Sequence, residues 1–151
     1  MSKQTGFTLI EILISIAIIG ILSVVIFASI NMFRNRQIIK NATIEVTQAI
    51  EEAKVKTITS YNDEIYGVHF GESDISIFTG ETYDAEDPDT IVLFADDSIS
   101  FNLSLSDDGE NIVFKRLTGE TDDTGSILIE LVSNSDYNQT INIDETGGVS
   151  F

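Results

Sequence analysis

Apolar and polar positions along the chain fall into three regimes, each with its own period. From Phe7 to Ile30 nearly every residue is apolar, and a run of about two dozen is the length at which a helix crosses a hydrocarbon core. No proline interrupts it; Gly20 is tolerated in lipid, although in water it costs about 1 kcal/mol relative to alanine. Beyond residue 30 the apolar positions thin to steps of three and four: Ile39, Ala42, Val46, Ala49 and Ala53, with Lys56 next on the same stripe. Lys40, Glu45, Glu51, Glu52 and Lys54 mostly face elsewhere, which is the pattern of an amphipathic helix. No glycine or proline falls between Ile21 and Ser60. The spacing therefore predicts one helix from about Thr8 to about Ser60, its first part apolar on all sides and its second part packed on a sheet of its own domain.

After YNDE (61–64) the period shortens to two. Short runs rich in β-branched and aromatic residues alternate with turn residues, the signature of strands. The expected strands are Ile65–Phe70, Ile75–Thr79, Thr90–Phe94, Ser98–Leu103, Asn111–Arg116, Ser126–Leu131 and Gln139–Ile143, with Gly148–Phe151 as a last edge. ISFNLSL places Ile99, Phe101, Leu103 and Leu105 on one face. DAEDPD, SDDGEN, TGETDDTG and SNSDYN read as turns between strands. The fold class is α+β: a long N-terminal α-helix followed by a small antiparallel β-sheet domain. Its segments are residues 7–30 as a membrane-spanning helix, 31–60 as the amphipathic continuation and 61–151 as a β-rich head.

Charge divides the chain at the same place. Residues 1–56 carry six basic and four acidic residues, net +2, whereas from Thr57 onward Lys115 and Arg116 face 21 acids, net −19. Such a head is repelled by nucleic acid and by anionic lipid, so no nucleic-acid partner is expected for it. The sequence has no cysteine, so the head holds together by packing alone, and the redox compartment is left open.

One residue contradicts its surroundings. Glu11 lies inside the apolar run, where a carboxylate costs at least about 2.5 kcal/mol on insertion scales and is by default a functional hypothesis. A cleavable secretory signal does not account for it, because such a signal has an apolar core of only about 7–15 residues ending at small residues. Here the core is longer, carries a charge and ends in VVIFASI.

Taken together, KQTGFTLIEILISIAIIG supplies a short polar leader with one lysine, then Gly6, Phe7, an apolar start, Glu11 and a long membrane helix. This resembles the class III signal of type IV pilins and of the pseudopilins of type II secretion. Less specifically, YGVHF, ISIFTGETY, FKRLTG, SILIEL and TINIDETGGVSF are similar to the heads of minor pseudopilins and pilin-like proteins of the H-component type. The resemblance implies a leader, residues 1–6, cut after Gly6 by a prepilin peptidase that also methylates the new amine of Phe7. It implies that Glu11 pairs with the Phe7 amine of an adjacent subunit and is needed for assembly. The residues give the same logic: cleavage creates a positive amine four residues from Glu11, so neutralisation in lipid becomes available.

The implied function is a structural, non-enzymatic subunit of a type IV pilus-like or type II secretion pseudopilus filament. Its partners would be other pilin or pseudopilin subunits, the prepilin peptidase, an inner-membrane assembly platform and the lipid bilayer. It would cross the cytoplasmic membrane once with an extracytoplasmic head before entering the filament. Two departures from the family stand out: Ala28 occupies the stretch where many pilins carry a proline, and there is no C-terminal disulfide, which argues against a type IVa major pilin. Charge topology also disagrees, because Arg34, Arg36 and Lys40 on the head side would by themselves place the head in the cytoplasm; the leader motif, being more specific, takes precedence. The alternative function is a membrane-anchored extracytoplasmic binding module, with the apolar segment acting only as an anchor.

Other chemistry is sparse. His69 is the sole histidine, so a transition-metal site has almost no ligands beyond carboxylates, and the residue is expected to pack or be solvated on a strand. SDDG and TDDTG are neither nucleophile elbows nor phosphate loops. No cofactor is expected except calcium, for which DAEDPD offers Asp84, Glu86, Asp87 and Asp89 as oxygen ligands, against the plainer reading of solvated acidic turns.

Overall fold

The computed structural model describes residues 7–151. Its first element, α1, is a 50-residue helix, Leu9–Ile58. A 3₁₀ turn at Tyr61–Asp63 follows, and then eight strands: β1 (Tyr66–Phe70), β2 (Asp74–Thr79), β3 (Ile91–Ala95), β4 (Ile99–Leu105), β5 (Asn111–Val113), β6 (Gly125–Leu131), β7 (Asn134–Ile143) and β8 (Val149–Ser150). The helix ends where short polar residues reverse the chain: Ser60, Asn62 and Asp63 all have positive φ, a conformation that such residues tolerate. The chain forms two compact units, Met1–Arg36 and Gln37–Phe151.

In the second unit the strands make two antiparallel four-stranded sheets, ordered β3-β2-β1-β5 and β4-β6-β7-β8. One core serves both sheets and the helix. Ile39, Ala42, Val46, Ala49, Ile50 and Ala53 of α1 are buried together with Val68, Phe70, Ile75 and Ile77 of the first sheet and Ile99, Ile127, Ile129 and Ile141 of the second. Alanines at three of the helical positions keep that face narrow, while each buried isoleucine or phenylalanine is worth about 1.5–3 kcal/mol relative to exposure. Phe101 joins the sheets through edge contacts with Phe70 and Phe94, at centroid distances of 5.9 and 6.2 Å.

Thr57, fully buried, fastens the end of the helix to the first strand. Its hydroxyl oxygen accepts the Tyr66 backbone N–H at 2.9 Å and lies 2.9 Å from the Ala53 carbonyl and 3.2 Å from that of Tyr66, one of which takes its proton. Gly125 is required for a steric reason: at φ +150°, a Cβ there would stand 2.1 Å from the Ser104 carbonyl oxygen.

All eight expected strands are present, six with ends within two residues of those expected and two, β7 and β5, with a larger shift. β7 begins at Asn134, inside the SNSDYN expected to be a turn, because Leu131 already pairs with Asn134 across a bulge and the reversal is confined to Val132 and Ser133. β5 stops at Val113 rather than Arg116. The Lys115 N–H donates instead to the Glu120 carbonyl at 2.8 Å, and Gly119 N–H returns to Lys115, closing a turn.

Candidate functional site

The segment around Glu11 is built from its own sequence. α1 begins at Leu9, so Phe7 and Thr8 precede the helix and Glu11 stands in its first turn. The Glu11 backbone N–H donates to Thr8 Oγ1 at 3.4 Å, and the Ile12 N–H to the Thr8 carbonyl at 3.3 Å. Thr8-Leu9-Ile10-Glu11 is the T-x-x-E signature of a capping box, a cue that reading Glu11 by its charge alone overlooked. A carboxylate here also faces the positive end of the helix dipole. Gly6 and the rest of the 1–6 leader lie outside the described residues.

Beyond Glu11 the helix offers apolar surface without cover in the single chain. Ile10, Ile16 and Ile19 are each 62% exposed, and Phe7 is 80% exposed. The helix is long and apolar enough to cross a membrane. Ser15 and Ser23 return their hydroxyl protons to the carbonyls of Glu11 and Ile19, both at 2.7 Å, so these polar groups carry their own partners into an apolar environment. Arg34, Arg36 and Lys40 follow, all exposed and with no ion pair among the described residues.

The head presents carboxylates in turns. Asp84 accepts the Glu86 N–H and Asp87 the Asp89 N–H, each at 2.9 Å, so two of the four calcium candidates cap their own turn. Among the described residues no three His, Asp or Glu side chains group as a metal ion would need. His69 sits half-buried on β1. Its ring stacks on Tyr83 at 3.6 Å and 9°, its Nδ1 lies 2.8 Å from Asn111 Oδ1, and Tyr83 in turn meets Phe78 edge-on at 5.6 Å. A small aromatic cluster thus covers the outer face of the first sheet.

An open cavity of about 370 Å³ is lined by Ile65, Val113, Phe114 and Lys115 with Glu81, Asp107, Asp122 and Asp123. Burial pushes the Asp123 carboxyl above its ordinary range; the Val113 N–H at 2.8 Å opposes that, and Asp107 and Asp122 add to it. Asp96 is held below its ordinary range by the Ser98 hydroxyl and N–H, at 2.6 and 2.9 Å.

Residues 1–27 match a family model described as the prokaryotic N-terminal methylation motif. The crystal structure of the type IV minor pilin FimU of Pseudomonas aeruginosa (strain PAO1) shares the fold, with a TM-score of 0.54 at 12% identity, covering 74% of this chain and 90% of that one. The chain is pilin-like, with a prepilin methylation motif. No curated protein matches its sequence. The chain has the expected α+β architecture. Motif and apolar helix together point to membrane anchoring.

Proposed function

We propose that the protein is a structural subunit of a type IV pilus-like or pseudopilus filament, processed by a prepilin peptidase and assembled through its N-terminal helix. The observation that carries this reading is the methylation motif at residues 1–27 preceding a pilin fold. In this reading residues 1–6 are removed after Gly6, Phe7 becomes the N-methylated terminus, and residues 7–30 hold the protein in the cytoplasmic membrane with the head outside. The assembly platform then draws it into the filament. Glu11 neutralises the Phe7 amine of a neighbour, and the exposed isoleucines of α1 are reburied against neighbouring helices, which offsets the cost of leaving lipid.

Mass spectrometry of the N-terminus from cells with an active prepilin peptidase tests the processing step. An N-methylated Phe7 start is expected; an intact Met1 or a cut near Ala28 would refute it. Glu11→Ala tests assembly: the variant is expected to insert and be cleaved but to enter filaments poorly, and unchanged filament yield would remove the mechanism.

A further inference from the structure

The edge of a sheet leaves a row of backbone N–H and C=O groups without a ladder partner, and folded proteins usually blunt it with a charge, a proline or a cap. The first sheet treats its two edges differently. At β5 a cap is in place: the Val113 N–H donates to Asp123 Oδ2 at 2.8 Å. At the opposite edge β3 pairs with β2 alone, and among the described residues it makes no hydrogen bond outside that ladder. Its five residues, Ile91-Val92-Leu93-Phe94-Ala95, include neither a charge nor a proline. One irregularity twists it, because Ile75 and Ser76 face Phe94 and Val92 and leave Leu93 without a partner in β2. Ile91 and Val92 are 50% and 59% exposed, so apolar side chains and unpaired backbone share one surface of the head.

The charges at the ends of β3 select what fits it. Asp87 and Asp89 precede the strand and Asp96 and Asp97 follow it, and among the described residues none of the four is ion-paired. The only cations from Thr57 onward, Lys115 and Arg116, are engaged with Asp122 and Asp63. A second copy of β3 running antiparallel would bring the Asp87–Asp89 end of one chain to the Asp96–Asp97 end of the other, twice over, and like charges facing each other disfavour that pairing. We propose that β3 is a strand-addition site for an extended segment of another protein, apolar at its centre and carrying lysine or arginine at both ends. The added strand takes up the free backbone groups, its side chains cover Ile91 and Val92, and its terminal cations meet the acidic flanks. Five residues of strand span about 17 Å, which fixes the spacing between the two basic ends. The site lies wholly within the head and is independent of the filament reading.

The test uses the full-length chain in detergent, with backbone amide hydrogen exchange as the readout. The probe is a synthetic peptide of alternating valine and threonine between paired lysines. At about 1 mM peptide, the free-side amides of β3 are expected to exchange about tenfold more slowly. The same peptide methylated on every backbone nitrogen of its centre keeps its charge but cannot pair, and is expected to give no protection. Glutamate in place of its lysines should weaken binding about tenfold. Val92→Glu separates strand addition from plain charge attraction: it adds an acid, which would tighten a merely electrostatic contact, but places a charge where the added strand must pack. The variant is expected to melt like the native protein, since Val92 is exposed, and to bind the lysine peptide about tenfold more weakly. No protection of β3 in the native chain, equal protection by the methylated or the glutamate peptide, or tighter binding to Val92→Glu overturns the proposal. Protection of β3 that rises with protein concentration in the absence of peptide assigns the edge to a second copy and overturns it as well.

Discussion

Ile127, Ile129 and Ile141 in the head are fully buried, whereas Ile10, Ile16 and Ile19 at the start of α1 are each 62% exposed. The side chain is identical and the burial is opposite. In the head, the strands and residues 37–58 of α1 cover one another's apolar faces, so hydrophobic burial is complete within one chain and appears as folding stability. In the proposed filament subunit the cover of the N-terminal unit comes from lipid or from other chains, so there the same side chains would contribute to insertion and assembly. A change in one region should therefore be read out by melting, and a change in the other by assembly.

The strongest way to sharpen that division is Phe114→Ala. Phe114 is among the largest fully buried side chains of the head, and its removal is expected to cost about 3–5 kcal/mol in thermal or denaturant unfolding of the detergent-solubilised protein. Thr57→Val should come next, at about 1–3 kcal/mol, since it keeps the shape but strips the buried Tyr66 N–H of its acceptor; an unchanged denaturation midpoint would show that the helix is not fastened there.

Asp123 gives a smaller effect with a defined pH sign. Its folded pKa is raised above the ordinary 3.8, so its contribution to stability is complete below that value and is lost as pH rises through the folded pKa. Asp123→Asn keeps an oxygen for the Val113 N–H. It should stabilise the head at neutral pH by about 0.5 kcal/mol after allowing for solvent screening, with the gain vanishing below about pH 4 in a melting series. The smallest change is expected for Ile19→Ala, within about 0.5 kcal/mol on head melting, together with reduced filament yield. A large loss of head stability from Ile19→Ala would break the comparison outright.

Much of this was legible in the sequence because each region repeats a simple period. Ile39, Ala42, Val46, Ala49 and Ala53 step along a helix and are all buried, and alternation in ISFNLSL marks β4. Strand order was not legible, since β5 joins β1 across some forty residues and such pairings depend on three-dimensional packing. The start of β7 was hidden because Asn134, Ser135 and Asp136 are exposed and polar, so no alternation with apolar residues marks it. At the candidate site, Glu11 stands out as a charge among apolar residues, but His69 on Tyr83 joins side chains fourteen apart through a loop whose path no local pattern encodes.

Thr57 has a mechanical consequence. In the proposed filament, load enters the head through α1, and the buried hydrogen bonds that link the helix to β1 are those between the Thr57 hydroxyl and the Tyr66 backbone. Single-molecule pulling on Thr57→Val should show the head yielding at lower force than the native protein.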